Sequence, residues 1–166
     1  MRHPTISRLS FWWAVITMSA GCRPQRPTEE HLIPGGFEGP VVIIFSPRAG
    51  QNLSPNENRE VLYRIGLDGM AVALASAPPS GWRNVRYFYH DVNGTRIAIP
   101  VHADSTTLQV FGDVVGVTST LDGRPVDVRW QSYFVGVPAV HTDWGVRREE
   151  AVEKAVQAFL SGPPPL

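Results

Sequence analysis

NVRYFYHDVNGTRIAIPV, residues Asn84 to Val101, carries the clearest local signal in the chain. Side chains alternate sides along a strand, so Val85, Tyr87 and Tyr89 share one face while Arg86 and His90 take the other. Phe88 sits on the polar side as the one misfit. Asn93-Gly94 then supplies a strong hairpin signal, since both central residues of a type I′ turn need positive φ. Thr95 to Val101 returns with Ile97 and Ile99 on one face. The segment predicts a β-hairpin.

Similar runs lie on both sides of it. Val41 to Phe45 is a short apolar stretch between Pro40 and Pro47 and reads as a buried strand. Ser46 to Asn58 is a loop rich in Pro, Gly and Asn. Val61 to Ile65 and Met70 to Ala75 read as strands around the Asp68-Gly69 turn, and Pro78-Pro79-Ser80-Gly81 breaks the chain again. Leu108 to Phe111 is a further strand. Val114 to Leu121 and Val126 to Val135 are placed to pair across Asp122-Gly123-Arg124. Within the last run Val128, Trp130 and Phe134 share a face with Ser132, and Arg129 and Gln131 point the other way.

The chain ends with a different period. Residues 149–160 place Val152, Ala155, Val156 and Phe159 on one stripe, which predicts an amphipathic helix set against a sheet face or edge. Glu149 and Glu150 suit its positive N-terminal end, and Gly162 with three prolines stops it. The expected fold is mainly β: an antiparallel β-sandwich or partly open barrel with one C-terminal amphipathic α-helix.

Composition narrows the function classes. Of 166 residues 43% are hydrophobic and 18% charged, with 15 basic and 15 acidic side chains and a single cysteine. This balance excludes a basic nucleic-acid arm, an acidic tail, a disulfide-stapled miniprotein and a disordered chain.

The N-terminus reads as an address. Arg2 and Arg8 form a positive region, Leu9 to Met18 is an uncharged apolar run, and small residues Ser19-Ala20-Gly21 precede Cys22. The run fits the roughly 7–15 residues of a signal-peptide core and falls short of the roughly 20 that span a bilayer. Met18-Ser19-Ala20-Gly21-Cys22 resembles the lipobox of bacterial lipoproteins, with Ser19 where Leu is common. The resemblance implies a signal peptide over 1–21, lipid (palmitate) attachment at Cys22 and a membrane-anchored exported protein. Removal of 1–21 also removes Arg2 and Arg8, leaving two more acidic than basic residues. Arg23, by resemblance to the lipoprotein sorting rule, implies the periplasmic face of the outer membrane in a host with two membranes. Residues 22–30 read as a polar tether containing Pro24 and Pro27, and 31–166 as a single domain.

His31-Leu32-Ile33-Pro34-Gly35-Gly36-Phe37-Glu38-Gly39, running into Val41 to Phe45, resembles the opening of a domain of unknown function found in bacterial exported proteins. Tyr63-Arg64-Ile65 with Asp68-Gly69, Gly81-Trp82 before Tyr87-Phe88-Tyr89, and Tyr133-Phe134-Val135-Gly136 extend the likeness over most of 31–137. The chain departs at Gly35, where the family has an acid, and at Phe37 in place of Tyr. No activity comes with the resemblance.

Chemistry-bearing patterns are sparse. There is no Gly-x-Ser-x-Gly, no His-Glu-x-x-His and no phosphate loop. His90-Asp91, His102-x-Asp104 and His141-x-Asp143 are the patterns from which a metal or acid–base site would be built, but they fall short of a ligand set. His31 reads as a residue whose ring hydrogen bonds pin the first loop, in preference to a surface binding residue. Trp82, Tyr87 and Tyr89 read as core in preference to an aromatic binding face. Lys154 is the only lysine, and the arginines are scattered. No catalytic residue, metal site or cofactor is expected. The expected function is a non-enzymatic binding or structural module of the cell envelope. It contacts the membrane through its lipid and takes an envelope protein or glycan as partner, with no nucleic acid. A metal-dependent or hydrolytic enzyme, or a periplasmic inhibitor or immunity protein, is the alternative.

Overall fold

The computed structural model describes residues 27–79, 83–101 and 103–162. Among the described residues eight strands and one helix follow in order: β1 Thr28–Pro34, β2 Gly39–Ser46, β3 Glu60–Arg64, β4 Met70–Leu74, β5 Val85–His90, β6 Arg96–Ile99, β7 Gln109–Leu121, β8 Arg124–Gly136 and α1 Trp144–Ser161. They form two four-stranded sheets, β3-β1-β5-β6 and β4-β2-β8-β7. Neither closes into a barrel.

The sheets face each other across one core. Ile33, Tyr63, Tyr87 and Ile99 come from the first sheet, and Val41, Ile43, Phe45, Ala73, Val110, Tyr133 and Val135 from the second. Alternation places these residues inward, so the sandwich follows from the period-2 pattern. α1 covers the other face of the second sheet, where Val152, Ala155 and Val156 pack on Val42, Ile44, Val72 and Val128. The molecule is therefore layered sheet, sheet, helix.

Several expectations need correction. The pairing is mixed, not purely antiparallel: β1 runs parallel to β3 and β5, and β2 parallel to β4. β3 and β4 do not form a hairpin at Asp68-Gly69; that turn passes the chain from one sheet to the other. β1 opens at Thr28, so Thr28, Glu29 and Glu30 are strand and not tether. The helix begins at Trp144, five positions ahead of Glu149, so Glu149 and Glu150 lie beyond its first turn. Its start is held by Trp144, whose indole packs edge-on against Phe111 at 5.5 Å.

The two turn signals exchange roles. β5 and β6 pair as expected, with Tyr87 opposite Ile99 and Tyr89 opposite Ile97. Only Gly94 of Asn93-Gly94 has positive φ, however, and the Asp91 carboxylate accepts the N–H groups of Asn93 and Thr95. Asp91 draws the turn into a longer loop. The type I′ geometry instead occurs at Asp122-Gly123, with φ of 48° and 74°, where β7 turns tightly into β8.

Candidate functional site

His31 lies at the centre of the first sheet, facing the interior. The parallel registers set Tyr63 of β3 on one side of it and Tyr87 of β5 on the other. Tyr133 closes the group from the second sheet. The three tyrosine rings stand 4.6, 4.9 and 5.4 Å from the imidazole, and Tyr87 meets Tyr133 edge-on at 5.0 Å. His31 Nδ1 lies 3.0 Å from Tyr133 Oη.

This environment sets the chemistry. His31 is fully buried, and burial followed by the charge of Arg83 brings its pKa down to about 3, so the imidazole is neutral. Burial raises all three tyrosine pKa values, which keeps the phenols protonated. His31 Nε2, Tyr63 Oη and Ser132 Oγ are buried without a hydrogen-bond partner among the described residues. An uncharged group of rings packs well, whereas any charge formed there would be poorly solvated.

Two residues before His31, on the same face, Glu29 takes a two-pronged ion pair from Arg83. Arg83 Nη2 also donates to Gln131 Oε1 at 3.0 Å, and Gln131 Nε2 donates to Asp113 Oδ1 at 2.9 Å. The chain of contacts thus runs from β1 through β8 to the exposed edge at β7. Burial opposes the Arg83 charge, but the hydrogen bonds and charge of Glu29 outweigh it and raise the guanidinium pKa. Asp113 reaches Gln131 because β7 bulges between Phe111 and Val114, where Gly112 takes φ of 66° under the Trp144 ring.

On the outer face of the first sheet, Glu30 is buried beneath two arginines, each 2.6 Å from one of its carboxylate oxygens: Arg86 and Arg96. Arg86 also reaches Glu60. Glu29 and Glu30 therefore hold opposite faces of one strand, each against arginine.

Among the described residues the histidines and aspartates singled out form no shared site. The Asp91 and Asp104 carboxylates bind their own loops; N–H of Thr95 in one case and the Thr106 hydroxyl in the other hold their pKa values down. His141 sits against Phe134 and lies 3.4 Å from Glu38 and 3.1 Å from Arg147, while Asp143 stands at the helix N-cap without a side-chain capping bond. Among the described residues no three His, Cys, Asp or Glu gather as a metal would require. Tyr87 is core, and Tyr89 is partly buried with its hydroxyl donating to the Phe37 carbonyl. Cys22, Trp82 and His102 lie outside the described residues.

The sequence marks His31 but points to a loop there; it is a strand residue of β1. Glu29, Arg83, Gln131 and Asp113 were not singled out. The period-2 spacing of Glu29, His31 and Ile33 was the available signal, hidden because an acidic pair after Pro27 reads as solvated linker.

Residues 25–134 match the family of unknown function DUF6843. The chain belongs to that family. The DUF6843 match includes β1 to most of β8 and leaves α1 outside. His31, Tyr63, Tyr87 and Tyr133, which meet in the core, all lie within it. No curated protein matches the chain. Among solved structures it is similar to a crystal structure named "putative lipoprotein" from Bacillus anthracis, at 20% identity and a TM-score of 0.48, covering 68% of this chain and 71% of that one. No described helix is long and apolar enough to cross a membrane.

Proposed function

We propose that this DUF6843 protein is an exported lipoprotein, cleaved before Cys22 and lipidated there, whose β-rich domain is a non-enzymatic binding or structural module of the cell envelope. The order of basic residues, apolar run, small residues and cysteine supports the anchor. Arg23 to Pro27, fully extended, reaches on the order of 20 Å, so the domain sits close to the bilayer. In a host with two membranes Arg23 favours the outer one. The partner is an envelope protein or glycan.

The observation that carries the non-enzymatic reading is the closure of the His31 cluster. Its imidazole is fully buried, and the charge that acts on it, Arg83, is answered by Glu29. A general acid or base must touch the proton it moves, and the imidazole, with no surface open to solvent, is packed among the tyrosine rings. The arrangement binds two sheets together.

The anchor is tested by metabolic labelling with a palmitate analogue. Label and membrane fractionation are expected in the wild type and lost in Cys22→Ala; an unlabelled, freely soluble wild type overturns the anchor. For the module, crosslinking in intact cells is expected to recover an envelope partner with the anchored form and not with Cys22→Ala. Turnover of a defined envelope substrate that disappears in a folded alanine variant overturns the non-enzymatic reading.

A further inference from the structure

The two sheets have four outer strands, and three of them are closed to further pairing. Gln51 bonds along the outer side of β4 through its backbone, and its side chain satisfies both the N–H and the carbonyl of Arg64 at the end of β3. Asn56 accepts from the N–H of Glu60 at the other end of β3. β6 is four residues long, opens on Arg96 and is followed by Pro100. These are the devices by which natural sheets avoid edge-to-edge association.

β7 lacks them. It pairs with β8 and, near its start, is bridged to Val101 through Val110. From Val114 to Leu121 it reads VVGVTSTL, with no charge and no proline. Val115 is 52% exposed and Val117 is 55% exposed. An open, β-branched, uncharged edge presents backbone donors and acceptors that another extended strand satisfies.

We propose that this edge pairs antiparallel with the same strand of a second copy of the chain, joining two four-stranded sheets into one. The ladder with β8 is regular from Val114 to Thr118, which places the two-fold axis at Gly116. Val115 of each copy then faces Val117 of the other, and Val114 faces Thr118. The regular stretch from Val114 to Thr118 carries no carboxylate, so the pairing brings no two negative charges together there. The strand is its own complement, as a two-fold interface requires. The inference stands independently of lipidation.

The test uses the full-length protein purified in detergent, with its mass read by light scattering. A dimer is expected for the wild type. Val117→Lys, which places a charge on an already exposed side chain, is expected to halve the mass while leaving the circular dichroism and melting temperature unchanged. A wild-type monomer over the whole concentration range overturns the proposal, as does a Val117→Lys dimer. A second variant, Val115→Cys with Val117→Cys, is expected to form a covalent dimer on mild oxidation. Val140→Cys, exposed but away from β7, is the control. Equal crosslinking of the two shows random collision and overturns the interface.

Discussion

His31 illustrates how one side chain couples an interior to pH. Its folded pKa of about 3 lies well below the ordinary histidine value of 6.5. Between these values the unfolded chain binds a proton that the folded chain does not, so stability falls as pH falls through this window. The residue contributes a slope of about 1.4 kcal/mol per pH unit there. Urea unfolding at stepped pH is expected to show this slope in the wild type, and a flatter profile below pH 6.5 in His31→Gln. The Glu29–Arg83 pair makes a different demand. Arg83→Met leaves a buried carboxylate without its cation and is expected to cost about 3–5 kcal/mol. Glu29→Gln with Arg83→Met should recover part of that loss, and a double-mutant cycle measures how much.

At the scale of elements, local chemistry and long-range partnership separate. The strands were readable because alternation is written into neighbouring residues, as in Val85-Arg86-Tyr87. The pairing of β1 between β3 and β5 was not, because a parallel neighbour lies dozens of positions away and leaves no turn signature. Asn93-Gly94 and Asp122-Gly123 both favour a tight turn, but Asp91 supplies a carboxylate that two backbone N–H groups prefer. The helix start was obscured because Trp144 is held by Phe111 of β7, a contact across the fold. Gly112 is the point where β7 and α1 meet: a Cβ there would stand 2.5 Å from Trp144, at a positive φ. Gly112→Ala is expected to lower stability by about 1–3 kcal/mol, read in thermal or urea unfolding. Val156→Ala, at the buried centre of the helix stripe, is expected to cost about 1–3 kcal/mol by the same measurement.

For the molecule as a whole, the layering divides tasks between faces. The second sheet is covered on both sides, by the first sheet and by α1, and β2 is accordingly buried along nearly its whole length, as is the later half of β8 from Gln131 to Gly136. The first sheet has one open face, and there Glu30 is sealed by arginines instead of by another layer. The candidate site was legible only as scattered pieces. His31, Tyr63, Tyr87 and Tyr133 each stand in a recognisable stretch, but only the sandwich makes them neighbours. Their convergence explains why a β-domain of this size keeps a histidine in its interior: its ring fits among three others at the junction of the sheets. Arg83 and Gln131 carry no mark in the sequence, because one precedes a strand and the other sits on a face whose burial depends on the opposing sheet.

The placement of β1 has a mechanical consequence. A pull arriving from the N-terminus enters the domain along this strand, which is paired on both sides with parallel neighbours in uninterrupted register. Such a load acts along the hydrogen-bonded rows and strains them together, as in shear, rather than peeling them apart one by one. The Glu29–Arg83 and Glu30–Arg86 clasps sit at the end where the force enters. A load entering at Thr28 therefore meets the rows on both sides of β1 at once.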